Sequence, residues 1–181
     1  MTLRIGNLAA VPALERPDLL AEPVAKALAD LAGKLAVEEI GVAEIDPELA
    51  DTAAFCERYA VRLDQSANCV VLAARREGRA WFAACVILAT TRADVNGVVK
   101  KTLGASKLSF AAMDAAVEAT GMEYGGITPL GLSADWPLLI DERVTAAGDV
   151  VIGSGVRRSK LLLPGALLAQ LPGAQVLAIA N

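Results

Sequence analysis

Tyr124-Gly125-Gly126-Ile127-Thr128-Pro129-Leu130-Gly131 is the stretch of this chain best suited to chemistry. Its adjacent glycines reach positive φ and let another molecule approach the backbone closely. Pro129 fixes φ and removes one donor, which stiffens the turn. Backbone N–H groups in such a loop bind a carbonyl, oxyanion or phosphate oxygen. The chain has no histidine, so imidazole catalysis is not available to it. Cys56, Cys69 and Cys85 are odd in number and form no Cys-x-x-Cys pair; they read as small apolar residues in a reducing compartment. With no histidine and with cysteines this far apart, neither a zinc site nor any other metal or cofactor is expected. A nucleophilic Cys69 would need a base or cation beside it, and the sequence offers none nearby.

The elements that position the loop fit in 181 residues as a single domain with an N-terminal extension. Hydrophobic residues make up 55% of the chain, enough for a large core and against disorder. The start lacks a signal-peptide pattern, and no apolar run reaches the roughly 18 residues of a membrane span. The expectation is a cytoplasmic protein with no membrane association. Net charge is −4, which argues against a generic DNA binder. Residues 1–66 carry 12 acids and 6 bases, and residues 67–181 carry 9 acids and 11 bases. Clusters at Arg75, Arg76 and Arg79, at Lys100, Lys101 and Lys107, and at Arg157, Arg158 and Lys160 are either a phosphate-binding face or solvated element ends.

Residues 18–35 are Ala/Leu-rich and read as a helix started or interrupted by Pro23. Asp46-Pro47-Glu48 is a helix start, with a capping acid, proline at the first position and an acid at the dipole's positive end. That helix runs to Tyr59 with Leu49, Ala53 and Cys56 inward. Apolar runs at 69–73 and 81–88 predict two strands joined across a polar turn at 75–79. Asp94 caps a helix with Val95, Val98, Val99 and Leu103 inward and Gly104 as its stop. A strand at 107–110, a helix at 111–120, strands at 137–140, 149–152 and 160–163, a helix after Pro164 and a closing strand at 175–180 complete the order. This mixture predicts an α+β fold with a mixed, largely antiparallel sheet or partial barrel flanked by helices.

Four segments in this order and spacing give the chain a resemblance: residues 91–107 (TRADVNGVVKKTLGASK), 120–131 (TGMEYGGITPLG), 138–142 (LLIDE) and 151–158 (VIGSGVRR). The chain resembles the YbaK/EbsC family of aminoacyl-tRNA deacylases and prolyl-tRNA synthetase-associated editing domains, across roughly residues 50–181. The resemblance implies a domain over 46–181, preceded by a helical extension over 1–45. It implies hydrolysis in trans of the ester joining a wrong amino acid to the 3′ end of a tRNA, without a cofactor. Such proofreading serves where a synthetase pocket cannot separate similar small side chains by binding. The substrate's own ribose hydroxyl is implied to assist, so a protein base is not essential.

Under this resemblance the catalytic candidates are Asn68 and the backbone of Gly125, Gly126 and Ile127. Substrate-binding candidates are Thr128, Pro129, Ser154, Gly155 and Arg157. Thr128 is equally a turn cap, Ser154 and Gly155 a plain hairpin turn, and Arg157 or Arg158 a solvated charge. Asp141 ends an apolar strand and reads as ordering the backbone around it. The sequence departs from the family at one position. Family deacylases carry a lysine at the start of the first core strand; Asn68 stands there, and no lysine lies between Lys34 and Lys100. Asparagine donates a hydrogen bond but brings no charge. The alternative is therefore a non-catalytic module that binds tRNA, nucleotide or protein. A nucleotide-binding enzyme is disfavoured, since neither a Walker A loop nor Gly-x-Gly-x-x-Gly is present. Monomer and homodimer are both open.

Overall fold

The computed structural model describes residues 3–181. Strands β1 (Arg4–Ile5) and β2 (Leu8–Ala9) form a small hairpin, and β3 (Val11–Pro12) follows. Helix α1 (Glu22–Leu31) begins with Pro23 in its first turn, where a missing N–H costs nothing. It buries Val24 and Leu28. After β4 (Gly41–Glu44), the expected 46–59 helix is split. Asp46 accepts from Glu48 N at 3.0 Å and caps a single 3-10 turn, Pro47–Leu49. The chain then restarts as α2 (Thr52–Tyr59), which buries Phe55 and Cys56.

Strands β5 (Ala67–Arg76) and β6 (Arg79–Leu88) are longer than their apolar runs. They meet in a two-residue turn with Glu77 and Gly78 at φ 50° and 79°, the twist that a tight hairpin requires. Asp94 accepts from Gly97 N and Val98 N, capping the π-helical turn Val95–Val99 that continues into α3 (Lys100–Thr102). The wider winding leaves Val98 41% exposed, contrary to the expectation that it points inward, while Val99 is fully buried. Then come β7 (Lys107–Phe110), α4 (Met113–Thr120), β8 (Leu138–Asp141), α5 (Glu142–Ala146), β9 (Asp149–Gly153), β10 (Ser159–Pro164), α6 (Gly165–Leu168) and β11 (Ala174–Leu177).

These strands form an antiparallel sheet in the order β3-β4-β10-β9 and a mixed sheet in the order β11-β8-β6-β5-β7. In the mixed sheet β8 runs parallel to both β6 and β11. A bridge between Ser66 and Val151 joins the two sheets, and they do not close into a barrel. The fold is α+β. Ala84, Val86 and Leu88 of β6 face the main core with Ile140, Ile152 and Leu161, while Cys85 and Ile87 face a second apolar cluster behind the sheet. Burial on both faces explains why β6 reads as one continuous apolar run.

Residues 3–45 include strands and side chains that pack into this core. Strand β4 lies between β3 and β10 in the antiparallel sheet, and Leu19, Leu20, Val24 and Leu28 belong to the main core cluster.

Candidate active site

A cavity of about 510 Å³ lies where the start of β5 meets β9. Its walls come from Asn68 to Val71, from Val151 to Gly153, from Thr52 and Phe55 of α2, and from Gly125 and Ile127 of the glycine loop. Phe110, Met113 and Tyr124 also border it; they are 66%, 55% and 54% exposed and form its apolar mouth.

Asn68 lines the cavity and accepts from the Thr52 hydroxyl at 3.0 Å, which leaves its amide Nδ2 as a donor. Among the cavity-lining loop residues, Gly125 and Ile127 have N–H groups without an intramolecular partner among the described residues. Gly125 sits at φ +82°, where L side chains are strained. Gly126 is different. Its N–H donates to Glu123 O at 2.9 Å, its carbonyl accepts from Gly155 N at 2.7 Å, and a Cβ would lie 2.8 Å from the Val156 backbone. It is a seam between the loop and the β9–β10 turn, not a donor to the cavity.

Several other sequence candidates also lie off the cavity. Thr128 is fully buried with no partner for Oγ1 among the described residues, and Pro129 is buried beside it. Ser154 is fully buried, and the carbonyls of Val156 and Ser159, at 3.1 and 3.0 Å, are the acceptors within reach of its single O–H. The Ser159 hydroxyl bonds to Ser154 Oγ at 2.7 Å and to Leu19 O, tying the turn to the N-terminal segment. At Gly155 a Cβ would lie 2.4 Å from Ala21 Cβ, so glycine there permits close packing. Arg157 clasps the loop to the 46–51 turn. Its guanidinium donates to Tyr124 O and Pro47 O, both at 3.2 Å, and lies 3.6 Å from Asp51.

The basic clusters separate in space. Arg75 pairs with Lys107 across β5 and β7, and Arg76 donates to Gly104 O at 3.0 Å. Arg79 lies 5.4 Å from the Trp81 ring. These residues gather at the hairpin end of the sheet, while Arg158 bonds back to Asp18 O.

Sequence reasoning misplaced Lys160. Grouped with Arg157 and Arg158 it reads as surface charge, yet it is 9% exposed and lines the cavity. Its Nζ donates to Ala50 O at 3.1 Å and to Gly125 O at 3.5 Å and lies 5.1 Å from the Phe55 ring centre. Burial, and then the charge of Arg157, lower its pKa to about 8. Burial pushes the Cys69 thiol well up, with Cys85 adding to the effect, so Cys69 stays protonated. The signal for Lys160 lies in the run Leu161-Leu162-Leu163 directly after it, which is apolar on both faces and marks a strand buried on both sides.

An α+β domain with a cleft carrying backbone donors, an amide and one buried cation is the class these features define. Residues 46–171, well over half of the chain, match the pattern of the aminoacyl-tRNA editing domain family. The chain belongs to that family, whose business is editing by deacylation in the service of translation fidelity. A solved structure described as a candidate trans-editing enzyme for prolyl-tRNA synthetase superposes with a TM-score of 0.71 at 21% identity, covering 90% of this chain and 99% of its own. A scaffold protein used for epitope backbone grafting by computational design gives 0.73 at 19% identity, with the same coverage. At these identities the likeness concerns the fold. No curated protein sequence matches the chain significantly. Among the described residues no helix is long and apolar enough to cross a membrane.

Proposed function

We propose that this chain hydrolyses the ester of mischarged tRNA in trans. The observation that carries this reading is the cavity itself. The segments that match the editing family also build it, and its volume is that of a small-ligand site. In this reading the ester carbonyl lies at the N–H groups of Gly125 and Ile127, whose donors are free to hold the oxygen as it becomes an oxyanion. Water adds to the carbonyl carbon, the bond to the ribose oxygen breaks, and that oxygen leaves protonated. An aminoacyl ester is activated, and the neighbouring ribose hydroxyl assists the water, so the lack of histidine is no obstacle. Asn68 Nδ2 orients the substrate. The exposed rings of Phe110 and Tyr124 suit stacking of the unpaired terminal base. The Arg75–Lys107 end of the sheet suits the phosphates of the acceptor stem.

Asn68 favours a second reading, since a neutral amide stands where the family carries a lysine: a module that binds charged tRNA ends without hydrolysing them. A panel of mischarged tRNAs, including proline tRNA carrying alanine or cysteine, separates the two. Ester loss above the buffer background for one or two substrates supports the deacylase. Binding without acceleration across the panel supports the module. In the deacylase reading Cys69→Ala keeps its rate within about threefold of wild type, because a thiol held protonated is no nucleophile. Loss of the rate in a folded Cys69→Ala protein would put the thiol in the reaction.

A further inference from the structure

Lys160 is an anomaly in this fold. A buried ammonium is expensive unless an anion faces it, yet Lys160 has no salt-bridge partner among the described residues. The carboxylate of Asp51 is shared with Arg157 at 3.6 Å. Two carbonyls accept from Nζ, one of them at the long distance of 3.5 Å, so at least one of its three N–H donors is unused. The side chain springs from β10, which is held on both sides by β4 and β9, so its base is rigid. Its head lies against the carbonyl of Gly125, in the cavity that Gly125 and Ile127, whose N–H groups have no partner among the described residues, also line. The cavity thus gathers a fixed positive charge and two backbone donors at the glycine loop.

We propose that Lys160 is a catalytic residue that donates from Nζ to the ester carbonyl oxygen of the bound aminoacyl end and stabilises the negative charge that develops there. This rests on the deacylase reading. Arg157 does not line the cavity, and its guanidinium is turned to Tyr124 O, Pro47 O and Asp51. The charge that β5 lacks at Asn68 enters from a strand 92 positions later in the chain (160 − 68 = 92). A lysine that merely tied the end of the Pro47–Leu49 turn to the glycine loop would not need to keep a donor unused at a cavity wall.

The test compares wild type with Lys160→Met on a mischarged tRNA that wild type hydrolyses, from pH 6.5 to 9.5. The expected result is a fall in kcat of about 100-fold, with KM within about threefold, in a protein that melts normally. The ratio of wild-type to variant kcat/KM should fall above pH 8, as Lys160 of the free protein loses its proton. Asp51, Cys56, Cys69, Tyr124 and Arg157 are the ionisable groups around it; burial raises both thiols above the ordinary cysteine value. The substrate's own ammonium titrates in both proteins and cancels in the ratio. A variant with unchanged kcat, or a loss confined to KM, overturns the proposal.

A second measurement does not need turnover. Saturating wild type with 3′-alanylamido-3′-deoxyadenosine, a non-hydrolysable mimic of the charged end, should move the Lys160 Nζ titration midpoint upward in nitrogen-15 spectra. A midpoint that stays put at saturation overturns the proposal. If wild type neither binds this mimic nor hydrolyses any mischarged tRNA, the deacylase reading itself fails, and Lys160 with it. That result is distinct from an active wild type matched by an equally active Lys160→Met.

Discussion

Asp141→Ala should lower the unfolding free energy by about 4 kcal/mol, a loss read as a lower urea midpoint at unchanged m-value. The Asp141 carboxylate is fully buried at the end of β8. It accepts from the backbone N–H groups of Arg143, Ile179 and Ala180, each at 3.0 Å. The first caps α5; the other two pin the C-terminal segment, which bonds onward to Asp94 N through Ile179 O at 2.8 Å. Alanine would leave three donors facing a void, and a buried donor without its acceptor forfeits its full desolvation cost. Asp141→Asn keeps the shape and one carbonyl acceptor, so about half the loss is expected. Since Asp141 does not line the cavity, the deacylase reading expects the folded fraction to keep the wild-type rate. A stability change under about 1 kcal/mol in Asp141→Ala would refute this account of the C-terminal anchor.

The second large effect falls on the glycine loop, and its order matters. Gly126→Ala should cut kcat/KM by about 100-fold and lower the melting temperature, because the new Cβ meets Val156 backbone atoms at 2.8 Å. Backbone on backbone cannot yield without moving the loop. Gly153 sits in the same seam, its Cβ position 2.4 Å from Gly126 O. Gly125→Ala should be milder. Its Cβ would meet the end of the Arg157 side chain at 2.5 Å, which can swing away, leaving chiefly the strain of φ +82°. Deacylation assays paired with thermal melts on both variants decide the matter. A Gly125→Ala protein worse in both respects than Gly126→Ala would mean that the seam is not what shapes the loop.

Much of the scaffold was legible because local signals were strong. The apolar runs of β5 and β6, the Asp94 cap and the glycine stop at 104 each follow from one short segment. The hairpin tip was read as a longer turn, because Arg75 and Arg76 are polar where the strands project past the core. The place of β4 was not legible. It is four residues long, and its partner β10 lies more than a hundred positions away, so no local pattern announces the pairing. The glycine loop was found as a loop, but its residues were not sorted. Gly125 and Gly126 look alike in sequence; what separates them is that Gly126 packs on the Val156 backbone and Gly125 on the Arg157 side chain. Lys160 was hidden by two arginine neighbours, although the leucines after it carried the better clue.

The place of β4 between β3 and β10 also bears on how this unit could be moved between proteins. A piece cut at the family's own boundary, residue 46, would lose β3 and β4 together and uncover one whole side of β10. An unpaired strand edge of that kind invites another chain to pair with it. Grafted into a synthetase or a fusion, such a piece would seek a substitute strand from its host or from a second copy of itself. The smallest portable form of this editing unit therefore reaches back past its recognisable domain, to the strands that finish its sheet.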